Sequence, residues 1–88
     1  MTTMTASQIT DLHARRSAKG DGYAPTLAEC LAAASEGRLF DIDTASAGHD
    51  GLTIADDAET ALAEVAATMS PDDTAVPARW TAERVTLA

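Results

Sequence analysis

Apolar residues along this chain fall into blocks, and the spacing within each block predicts an element. Between a Thr5/Gln8 capping box and Gly20, the residues Ile9, Leu12, His13 and Arg16 share one helical face. Only two of those four are aliphatic, so residues 1–20 are read as a helix that could swing free of the rest. Thr26 and Glu29 form a second capping box and Gly37 is a stop; between them Leu27, Cys30, Leu31 and Ala34 make the stripe of a second helix. Leu39 to Asp43 alternates, with Phe40 and Ile42 on one face, and Gly51 to Ala55 alternates with Leu52 and Ile54 on one face. Those two segments read as an antiparallel pair of strands joined through residues 44–50.

A third helix is predicted from Asp56 or Asp57, paired as caps with Glu59 or Thr60, to about Met69. Ala58, Ala61, Leu62, Val65 and Met69 line one face of it, the clearest amphipathic pattern in the chain. The tail from Val76 to Leu87, with Pro77 at its start and Trp80, Val85 and Leu87 within it, reads as a last strand. The order α-α-β-β-α-β predicts an α+β fold in one small domain over residues 1–88: a short, mainly antiparallel sheet with helices packed on one face. Its predicted core is Leu27, Leu31, Phe40, Ile42, Leu52, Ile54, Leu62, Val65 and Val85.

Composition narrows the function. In this chain of 88 residues, 45% are hydrophobic, and half of those are Ala. So small a core suits a monomer, or a homodimer that completes its core against a copy. No apolar run approaches the roughly 18 residues of a membrane span. The first residues lack the basic and apolar stretches of a secretory leader, and the lone Cys30 cannot form an internal disulfide. Both point to the cytoplasm.

Charge points further. The net charge is −8, and from Asp41 to Asp73 the chain carries nine acids and no Lys or Arg. Such a surface repels nucleic-acid phosphate and anionic membrane and attracts basic proteins. Arg15, Arg16 and Lys19 are too few for a phosphate footprint and could fold back on the acidic body.

Site chemistry is sparse. Asp41, Asp43 and Asp50 resemble part of a calcium loop, but Ala45, Ser46 and Leu52 occupy positions where an EF-hand needs an oxygen ligand, Gly and an acid. Cys30, His13 and His49 are scattered without zinc spacing, so no metal and no cofactor is expected. None of the serines stands in a nucleophile motif, and the acids before the third helix are already explained as caps, so the chain is read as a non-enzyme. Trp80, near a chain end on a possible edge strand, is a candidate interface anchor.

What remains is a small, acidic, non-enzymatic protein–protein interaction module whose partner has a basic surface. Its expected partner-binding residues are Asp41, Asp43, Asp50, Asp56, Asp57, Glu59 and Trp80, with at least Asp43, Asp50, Asp56 and Asp57 facing outward on one side. An inhibitor that occupies a basic nucleic-acid-binding surface fits this profile. By size and charge alone, so do phage-encoded inhibitors of bacterial defence such as anti-CRISPR proteins. The alternative is a structural or regulatory subunit whose acidity serves only solubility. A nucleic-acid-binding, antitoxin-like regulator fits the charge least well.

Overall fold

The structure is a computed structural model that describes residues 1–17, 25–44, 51–69 and 76–88. Its elements run β1 (Thr2–Met4), α1 (Ala6–Ser17), α2 (Leu27–Ser35), β2 (Leu39–Asp43), β3 (Gly51–Ile54), α3 (Ala58–Met69) and β4 (Thr81–Leu87). The fold is α+β, and the order α-α-β-β-α-β stands, preceded by a three-residue strand that the sequence pattern does not announce.

The helix ends follow their local chemistry. Thr5 and Gln8 exchange side-chain bonds with each other's backbone N–H at 2.8 and 3.2 Å. Thr26 and Glu29 do the same at 2.9 and 3.1 Å, each pair closing two donors that a helix start leaves open. The Thr60 N–H donates to Asp57 Oδ1 at 2.7 Å, so Asp57, and not Asp56, caps α3. At the end of α2, Gly37 takes φ of 72°. The N–H groups of Gly37 and Arg38 then return to the carbonyls of Ala34 and Ala33. This left-handed stop is strained for a residue with a Cβ, so Gly is the residue that fits it.

The four strands form one mixed sheet in the order β1-β4-β2-β3. The β2–β3 and β2–β4 pairs are antiparallel, and β1 runs parallel to β4 with Thr2 opposite Val85. β4 is therefore an interior strand. It begins at Thr81, after a turn in which the Trp80 N–H donates to the Pro77 carbonyl at 3.1 Å. The expectation that Trp80 lies on an edge strand is corrected: Trp80 precedes the strand, and the strand has a neighbour on each side.

Layering is the second correction. Leu39 and Phe40 are adjacent in β2 and both are buried, so they point to opposite faces and both faces are covered. On one face Leu39, Leu52 and Val85 pack with Ile9 and Leu12 of α1 and Cys30, Ala33 and Ala34 of α2. On the other, Phe40 and Ile42 pack with Ala61, Leu62 and Val65 of α3. The expected single core is two, because Phe40 stands opposite Thr53 and Leu39 opposite Ile54. A one-residue offset in register moves a whole row of side chains to the other face.

The third correction concerns α1. Ile9 is 0% exposed and Leu12 2%, so two aliphatic side chains suffice to dock this helix. The expected core residues Leu27, Leu31, Ile54, Leu62 and Val65 are only partly buried. Tyr23, the 44–50 loop (Thr44 apart) and the expected break at Gly20 lie outside the described residues.

Candidate functional site

Alternation along β2 divides the acids. Phe40 and Ile42 face α3, so Asp41 and Asp43 face the side of α1 and α2. Asp41 is met there by Arg16, near the end of α1, with Nε and a terminal nitrogen donating to its two oxygens at 2.8 and 2.9 Å. Such a two-point pairing fixes both geometry and charge. Asp41 is consequently taken up inside the fold, and of the two expected basic residues on α1, Arg16 does fold back. Asp43 closes the same strand and is exposed.

The remaining acids lie at the other end of the β2–β3 pair. The Ala55 N–H donates to the Arg38 carbonyl at 3.0 Å, which sets Asp56 beyond the start of β2 while Asp43 stands at its finish. At roughly 3.3 Å per residue the two ends are about 17–20 Å apart. Asp56 accepts from Arg38 Nε at 3.0 Å, and a further Arg38 nitrogen lies 3.9 Å from Glu36. Asp57 caps α3; the backbone and side-chain bonds with Thr60 hold its carboxyl below the usual range. Glu59, in the first turn of α3, is exposed. Of the four acids expected on one outward side, Asp43 stands at one end and Asp56 and Asp57 at the other, while Asp50 lies outside the described residues.

Trp80 is 9% exposed. Among the described residues its indole Nε1–H has no hydrogen-bond partner. A ring so covered cannot meet a partner without moving, so the expectation of an exposed anchor is not what its position gives.

Two features escape sequence reasoning. Arg84, opposite Phe40 in the β2–β4 register, lays its guanidinium 5.1 Å from the centre of the Phe40 ring, a cation–π contact. Only its alternation with Val85 could have hinted at that placement. The other is the backbone edge of β3, invisible to any side-chain motif.

Titratable chemistry elsewhere is subdued. Cys30 is fully buried, and burial, aided by the nearby Glu29 charge, pushes its thiol up to about 11. His13 Nε2 lies 2.8 Å from the Pro25 carbonyl and so carries the proton in that contact. A shallow depression over α1 is lined by Met4, Gln8, Asp11 and Arg15, a set without converging donors or acids. Among the described residues no group of three or more His, Cys, Asp or Glu side chains could hold a metal ion, and no helix is long and apolar enough to cross a membrane.

The residues brought together in this structure are therefore surface acids and the arginines that partly answer them. Comparison with known proteins adds no assignment: no family model, no curated protein and no solved structure matches the chain.

Proposed function

We propose that this protein is a non-enzymatic interaction module that binds a partner protein through the partner's basic surface. One observation carries the reading: the net charge is −8, and three of the five arginines are held against the protein itself. Arg16 is clamped to Asp41, Arg38 to Asp56, and Arg84 lies over Phe40. Those three cations are thus turned inward or neutralised locally. Asp43, Asp57 and Glu59 stand exposed at two ends of one strand pair. Such a field steers a cationic protein surface inward and keeps phosphate polymers out. A surface that normally holds nucleic acid is one target of that kind, and an inhibitor by occupation is the form of activity the charge favours.

The test is capture from the native host across a salt series, followed by charge reversal at each end separately. Association should weaken steeply as salt rises. D43K and E59K should each slow it while circular dichroism shows the fold intact, since neither residue caps a helix. Binding that ignores both salt and reversal would make the acidity a solubility feature of a structural or regulatory subunit.

A further inference from the structure

In an antiparallel pair, opposed residues alternate between those that exchange two backbone hydrogen bonds and those that exchange none. The bond from Ala55 to Arg38 sets the phase. With the observed register, Phe40/Thr53 and Ile42/Gly51 are the bonded pairs. Leu52 and Ile54 therefore turn their N–H and C=O groups away from β2. β3 ends the sheet, and among the described residues nothing bonds those four groups on the outer side. Natural sheet edges are commonly blunted by charge, proline or a bulge. Gly51-Leu52-Thr53-Ile54 contains neither a charge nor a proline.

We propose that the edge of β3 accepts an extended segment of a basic partner as a fifth strand, with Lys or Arg near both ends of that segment. This rests on the charge reading above and gives it a geometry. Asp43 lies at one end of β3, and Glu36, Asp56, Asp57 and Glu59 outnumber Arg38 at the other. The separation of about 17–20 Å matches an extended segment of about six or seven residues. Backbone bonding supplies affinity without demanding a sequence, and the terminal cations supply selection. A second copy of this chain is a poorer occupant. Paired antiparallel about Thr53, it would bring the acids at one end of its β3 onto those at the opposite end of the first.

The probe is the capped peptide Lys-Val-Thr-Val-Thr-Val-Lys, compared with a version carrying Glu at both ends and with one N-methylated at alternate residues. Binding is followed by NMR hydrogen exchange on the whole protein. The Lys peptide should slow exchange of the Leu52 and Ile54 amides roughly tenfold and leave Thr53, already bonded to β2, little changed. The Glu and N-methylated peptides should not. D43N and D56N should each weaken binding about threefold with unchanged circular dichroism.

Equal binding of the N-methylated peptide, or Lys-peptide binding that leaves Leu52 and Ile54 unprotected, overturns strand addition and leaves the acidic reading standing. No binding of the Lys peptide, beside salt-sensitive capture of a native partner, does the same. If that capture is salt-insensitive too, both readings fall. Protection of these amides that rises with protein concentration alone would assign the edge to a second copy and overturn the proposal.

Discussion

Asp41 and Asp43 stand two residues apart on one strand and face the same side, yet their circumstances differ. Asp41 is held at two points by Arg16, each side chain about one-fifth exposed, whereas Asp43 is at the surface. Truncating Asp41 to Ala removes two charge-assisted bonds from a half-buried guanidinium. D41A should cost about 1–2 kcal/mol in urea unfolding. The caps at Thr5, Thr26 and Asp57 were legible in the sequence because their partners sit three residues away. Arg16 and Asp41 lie 25 residues apart, and no local pattern links them.

Titration follows the same residues. Glu29, Asp57 and Glu83 all have carboxyls held below their usual range, the first two by their capping bonds and the third foremost by the Thr2 hydroxyl. Groups with depressed folded values stabilise the fold above their unfolded values and lose that effect as pH falls through the folded ones. Thermal melts should therefore fall progressively below about pH 4.5, and T26A, which removes the partner of Glu29, should flatten part of that slope. Cys30 behaves in the opposite sense. Its raised value means the unfolded chain ionises first, so stability falls as pH rises from about 9 and the loss is complete above about 11. Disulfide reagents should label it slowly in the native state and fast in denaturant.

At the scale of elements, strands and helices could be read off periodicity, but the faces could not. Each strand declares its own alternation and says nothing of the register that joins it to the next. That is why Phe40 and Ile42 were grouped with Leu52 and Ile54 when a sheet separates them. Leu39 held the signal: an apolar residue on the face opposite Phe40 implies cover on both sides. The β1 strand left none, because Thr-Thr-Met is too short and too polar to stand out. Burial reverses the ranking of helices by hydrophobic pattern. I9A should cost about 2–5 kcal/mol in chemical denaturation and L62A less, since Ile9 is fully enclosed and Leu62 only partly so. The candidate acids were likewise legible as a group, while their division between two ends depended on strand pairing.

For the whole molecule, a net charge of −8 on 88 residues means that the folded state repels itself. Added salt should raise the melting temperature of the free protein over the same range in which it weakens capture of a basic partner. Opposite slopes in the two titrations would separate the fold's electrostatics from those of recognition.

The interior place of β4 has a consequence in time. This strand is the latest of the described elements in the chain, yet β1 pairs with it alone and β2 needs it for its second edge. During synthesis β1 must wait about eighty residues for its neighbour, and both cores lack Val85 or Ala82 until then. Helices can flicker into being along the emerging chain, but the sheet cannot close, so the cooperative step comes after β4 leaves the ribosome. A fragment ending at Arg79 should keep some helical circular dichroism, unfold without a sigmoidal transition, and be digested by protease far faster than the full chain.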